Sequence, residues 1–209
     1  MSNSRNIKRI SLFAAGALLA GAAVLFYLPD ILVKTPGDFH YYQSPMVRIG
    51  GIKLEVVYFV PNDQVPDQQF YEKIKQAMAQ VQAFHMREFN RLNPLRYSIY
   101  PNPVIGEESS AFYDSDGTAR GNPGAIKKIM AETGRRLYNR ESELYDERFA
   151  KRKSNELPVR VFVYQGVGAS SGVLSVLMAY DYLKQTAYGP TIIYHELMHN
   201  LGVPDAYDY

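Results

Sequence analysis

Ile52-Lys53-Leu54-Glu55-Val56-Val57-Tyr58-Phe59-Val60, closed by Pro61, is the stretch on which the reading of the fold turns. Apart from Lys53 and Glu55 it is aliphatic and aromatic, and the proline at its end cannot donate to a ladder, so it reads as a strand. Downstream, Phe70, Ile74, Ala77, Met78, Val81, Phe84 and Leu92 recur at three- and four-residue spacing. That spacing predicts one long amphipathic helix over 67–92, with Asp67 as its N-cap and Pro94 as its stop. Residues 95–100 then read as a second strand.

Further along the signals alternate. Residues 102–124 carry turn residues at loop density, and 122–153 reads as helix in two pieces broken near Gly134. Pro158 to Tyr164 is a third strand, Gly166 to Gly172 a small-residue loop, and Val173 to Leu183 contains a fourth strand or, on its Leu174, Leu177 and Met178 stripe, a helix. Gly189-Pro190 opens a final helix, Thr191 to Leu201, which Gly202 and Pro204 stop. The expected class is α+β, a twisted and mostly parallel sheet with a long helix and a C-terminal helix, over residues 52–209.

The N-terminal side reads differently. Arg5, Lys8 and Arg9 precede an uncharged apolar run over 10–28. At about 1.5 Å per residue that run spans ~28 Å, close to a bilayer's hydrocarbon core. Residues 1–34 are therefore expected to be a signal anchor or transmembrane helix, with the N-terminus cytoplasmic and the domain extracytoplasmic. Cleavage near Ala20-Gly21-Ala22 would instead give a secreted protein. Residues 35–51, with Pro36, Gly37, Pro45 and Gly50-Gly51, read as a linker.

Composition excludes several classes. Cys 0 removes disulfide scaffolds, cysteine nucleophiles and thiolate metal sites. A net charge of +2, from 23 basic and 21 acidic residues, is too balanced for an electrostatic grip on nucleic acid.

Chemistry concentrates in Tyr194-His195-Glu196-Leu197-Met198-His199-Asn200-Leu201-Gly202-Val203-Pro204-Asp205. Two histidines four apart on a helix share one face, so both imidazoles can close on one Zn²⁺. Glu196, beside the first histidine, can reach a water activated by the metal and act as general base. Gly202 can adopt a positive φ that turns the chain out of the helix, and Asp205 is then near enough to be a third ligand, with Asp208 as the second choice. Shuffling the chain's composition gives His-Glu-x-x-His roughly 0.3% of the time, and with the added glycine and aspartate about 1 in 10⁵. His85, flanked by Phe84 and Phe89, reads as a packing or surface residue.

His195, Glu196, His199, Gly202 and Asp205 together resemble the extended zinc motif of metzincin metallopeptidases, in the snapalysin-like variant whose third ligand is aspartate. The order of strand, long helix, three strands and active-site helix is similar as well. The resemblance implies a zinc metalloendopeptidase acting on a peptide or protein substrate, with His195, His199 and Asp205 binding zinc and Glu196 as general base. It further implies that Val173–Tyr180 is the edge strand along which substrate lies. The methionine-bearing turn that metzincins carry after the third ligand has no counterpart in the four residues following Asp205, so the expectation includes a C-terminally shortened enzyme. The alternative is a membrane-tethered, catalytically degenerate metallopeptidase-like binding module.

Overall fold

In the computed structural model, which describes residues 50–89, 94–118, 121–153, 155–184 and 188–203, the stretch quoted above forms β1 (Gly51–Val60), and each of its residues is buried. In chain order there follow α1 (Phe70–Glu88), β2 (Leu95–Ile99), β3 (Val104–Ile105), α2 (Ser110–Tyr113), a 3₁₀ turn (Asp114–Asp116), α3 (Pro123–Leu137) and α4 (Glu147–Ala150). Then come β4 (Glu156–Tyr164), β5 (Ala169–Gly172), β6 (Ser175–Ala179), a second 3₁₀ turn (Tyr180–Lys184) and α5 (Tyr188–Asn200).

The sheet runs β2-β1-β4-β6-β5, with β3 paired to the end of β1. All pairings are parallel except β5 with β6. Parallel neighbours cannot be joined by a tight turn, and α1 and α3 lie in the crossovers that join them. The class is therefore mixed α/β with a mostly parallel sheet, which corrects the α+β expectation. A central parallel strand is covered on both faces, which is why β1 reads as a nearly continuous apolar run.

Residue alternation assigns the two faces. Val57, Phe59, Phe162, Tyr164 and Leu177 form a core with Ala125, Ile126, Ile129 and Leu137 of α3. The intervening residues of β1 look to the other side, where Tyr58 stacks on Phe70 of α1 at 4.8 Å between ring centroids. There α1 buries Phe70, Ile74, Ala77, Met78 and Val81, each large aliphatic among them contributing about 1.5–3 kcal/mol.

Four expectations about the elements are corrected. Helix α1 begins at Phe70, not at Asp67: Asp67 Oδ1 accepts from Gln69 N at 2.7 Å, as a cap would, but the Asp67 carbonyl accepts from Phe70 N at 3.2 Å in a turn ahead of the helix, and Oδ2 accepts from Lys73 Nζ at 2.7 Å and Tyr180 Oη at 2.8 Å. Gly134 does not break α3, which continues to Leu137. The small residues Ala169–Gly172 form a strand, and it is this β5 that occupies the sheet edge; β6, within the stretch expected at the edge, is covered by it. Finally, among the described residues no helix is long and apolar enough to cross a membrane. The longest, α1, carries Glu72, Lys73, Lys75, Arg87 and Glu88 and is amphipathic. The run over 10–28, the Ala20-Gly21-Ala22 region and the 35–49 part of the linker lie outside the described residues, and the membrane anchor with its extracytoplasmic placement is set aside.

The α3 face also holds charge. Lys53 and Glu55, alternate residues of β1, are 1% and 0% exposed. Arg152 donates to Glu55 through Nε at 2.7 Å and Nη2 at 2.8 Å, and Tyr138 Oη donates to it at 2.7 Å. Lys53 Nζ donates to the carbonyls of Phe149 at 2.8 Å and Lys151 at 2.5 Å. Burial and the Glu55 charge hold the Tyr138 phenol well above its ordinary range, so it remains a donor.

Candidate functional site

Helix α5 presents the histidine pair because of what its other faces bury. Pro190, Ile193 and Leu197 are buried, and Tyr194 packs edge-on against Phe84 of α1 at 4.9 Å. At about 100° per residue, His195 and His199 each lie about 200° round the helix from Ile193 and Leu197 respectively, so they face away from that contact. His195 is exposed and His199 half-buried.

The two imidazoles converge. Their Nε2 atoms are 3.1 Å apart, and the rings meet edge to face at 4.7 Å. Two nitrogens each about 2.0–2.1 Å from one cation, at roughly tetrahedral angles, would stand about 3.3 Å apart, so the observed spacing fits one shared zinc. Without a cation, the same spacing needs one proton between the nitrogens.

The chain after α5 fixes the tautomer of His199. Gly202 has φ +85°, and the helix closes in a Schellman turn: Gly202 N donates to His199 O at 3.0 Å and Val203 N to Met198 O at 3.1 Å. This curl brings the Val203 carbonyl to His199 Nδ1 at 2.8 Å. A carbonyl only accepts, so Nδ1 carries the proton and Nε2 of the neutral ring offers its lone pair, the arrangement metal-ligating histidines share.

A second anchor was not visible in the sequence. The Asn200 side chain donates to Ser175 O and accepts from Ser175 N, both at 2.9 Å, tying the last turn of α5 to the start of β6. It also donates to Glu196 O at 3.1 Å. No local pattern separates such an asparagine from one that faces water, since its partner lies 25 residues away. Glu196 is half-buried on α5, next in sequence to His195. His85 is 0% exposed, stacks on Phe89 at 4.7 Å and lies 3.4 Å from Tyr194 Oη, away from the pair.

Among the described residues no group of three or more His, Asp or Glu side chains is placed to hold a metal ion. Among the described residues, the metal-binding group expected from the motif is therefore corrected to a two-histidine arrangement. Asp205 and Asp208 lie outside the described residues. No protein-family model matches the chain, and no curated protein matches it.

Proposed function

We propose that the chain is a zinc-dependent peptidase of metzincin-like type, in which His195 and His199 hold the ion and Glu196 is the general base. The observation that carries this reading is the 3.1 Å approach of the two Nε2 atoms, with His199 Nδ1 committed to a carbonyl. By its place in the motif Asp205 is the third ligand, with Asp208 next in line. When bound, zinc supplies Lewis acidity that polarises the scissile carbonyl and lowers the pKa of water. Glu196 accepts the proton of the attacking water and delivers it to the leaving amine nitrogen. Edge strand β5, whose outer side is unpaired in the sheet order and against which α5 packs, is where an extended peptide would add as a further strand.

The test uses the full chain. Elemental analysis is expected to give about one zinc per chain at neutral pH, lost in His199→Ala. Glu196→Gln is expected to keep the metal and lower peptide turnover by about 10²–10⁴-fold. Absence of stoichiometric zinc, or turnover undiminished in Glu196→Gln, would refute the assignment. Zinc without turnover in the unsubstituted chain would leave a metal-binding module of the second kind considered above.

A further inference from the structure

We propose that the cavity lined by Met130, Arg152, Pro158, Arg160, Val173 and Leu174 is a binding site for a carboxylate carried on a short aliphatic chain, anchored by Arg160. The cavity measures about 210 Å³ and lies on the α3 face of the sheet, where Arg160 pairs in register with Glu55. The histidine pair stands on α5, which packs with α1, and α1 covers the opposite face.

Three observations point to this ligand. The first is charge. Lys53, Arg152 and Arg160 gather around one carboxylate, Glu55, leaving two positive charges in excess. Glu55 is taken by Arg152 and Tyr138. The Arg160 guanidinium lies 4.2 Å from the Tyr138 ring centroid, and among the described residues no carboxylate is within ion-pair distance of it. A guanidinium seated over an aromatic ring, with its fork uncommitted, suits a carboxylate's two oxygens.

The second is the wall. Met130, Pro158, Val173 and Leu174 surround Arg160 with apolar surface, and the other lining cation, Arg152, is committed to Glu55, which favours a monoanion with an aliphatic tail over a phosphate that needs donors on every side. A cavity of this size admits one short acid.

The third is strain. Leu174 has φ +50°, a conformation costly for a bulky side chain, and persists because the backbone on either side is held. Leu174 O accepts from Arg160 N at 3.0 Å, and Asn200 grips Ser175. The result is a hairpin tip that keeps Val173 85% and Leu174 38% exposed at the cavity's rim.

The experiment is calorimetric titration of the full chain with hexanoate, hexanamide, N-acetyl-Ala-Leu, its C-terminal amide and inorganic phosphate. Saturable hexanoate binding is expected, with hexanamide at least tenfold weaker. Arg160→Gln is expected to weaken hexanoate at least tenfold, and Val173→Asp, at an exposed position with no buried contact to lose, to weaken it by charge repulsion. Glu196→Gln should leave binding unchanged, which separates this site from the peptidase reading. Binding of the free-acid dipeptide but not its amide identifies a peptide C-terminus as the source; binding of hexanoate alone identifies a free acid. The proposal is overturned if hexanamide or phosphate binds as tightly as hexanoate, or if neither substitution changes hexanoate affinity.

Discussion

The protein assembles ionisable side chains in two places, and the two are built in opposite ways. His195 and His199 stand one helical turn apart at the surface, and the turn that sets the ring of His199, the Schellman closure at Gly202 with the Val203 carbonyl, lies within nine residues of chain, while Tyr194 on Phe84 and Asn200 on Ser175 seat the helix itself. Lys53 and Glu55 of β1 meet Tyr138 and Arg152 from segments more than eighty residues away, with Lys53 and Glu55 1% and 0% exposed and Arg152 reaching in from the surface. A cation proposed at the surface pair would come and go without disturbing the core. The interior cluster has no such freedom, because any charge left unmatched there has no water to turn to. The contrast teaches where this fold can keep a replaceable ligand and where it can keep only a permanent partner.

The sharpest way to break that contrast is to remove the central carboxylate. Glu55→Ala leaves the buried Lys53 without its counter-charge and strips the exposed Arg152 and the Tyr138 hydroxyl of their acceptor, and should cost about 3–5 kcal/mol in urea unfolding, while zinc uptake by the folded fraction is expected to be unchanged. A cost under about 1 kcal/mol would mean the interior is as forgiving as the surface.

A smaller perturbation probes the local side. A Cβ at Gly202 would meet nothing within 4 Å, so Gly202→Ala acts only through the φ of +85°. It should cost about 1–2 kcal/mol, and since it loosens the Val203 carbonyl under His199 it should weaken zinc more than it lowers the melting temperature. Equal loss of both would show that α5's end is coupled to the whole domain.

Acid should give the mildest effect through two ion pairs that belong to neither cluster. Arg96, bonded to Glu156, holds that carboxyl down to about 2; Lys73, bonded to Asp67, does the same there. Both native values lie below the unfolded range, so their stabilisation is complete above about pH 5 and is lost as pH falls from about 4 towards 2. An unfolding series from pH 7 to 2 should be flat from these groups down to about pH 5, and Arg96→Met should remove the Glu156 part of the later decline.

How far the chain could be read follows the same division. The helix around His195, its end at Gly202 and the strand at Ile52–Val60 were legible because each rests on periodicity or on a backbone conformation that one residue type favours. The start of α1 was misplaced by three residues because Asp67, a good cap by type, makes its bond to Gln69 N within a turn that precedes the helix, while its second oxygen holds Tyr180, 113 residues on. The edge of the sheet was misassigned because Ala169–Gly172 has no strand composition and pairs only because β6 is there to receive it. Asn200 was passed over for the same reason, its role existing only once Ser175 stands opposite.

By itself, then, the sequence determined the histidine pair, the glycine that turns the chain beneath it and the apolar strand at the centre of the sheet, since such features depend on neighbours a few residues away. Only the tertiary structure decided that Lys53 and Glu55 point inward, that β5 rather than β6 meets solvent at the sheet edge, and that Arg160 lies over Tyr138 with its fork open. Those outcomes are set by which segments pack together, and burial of a charge becomes favourable only when a partner from elsewhere in the chain arrives to meet it.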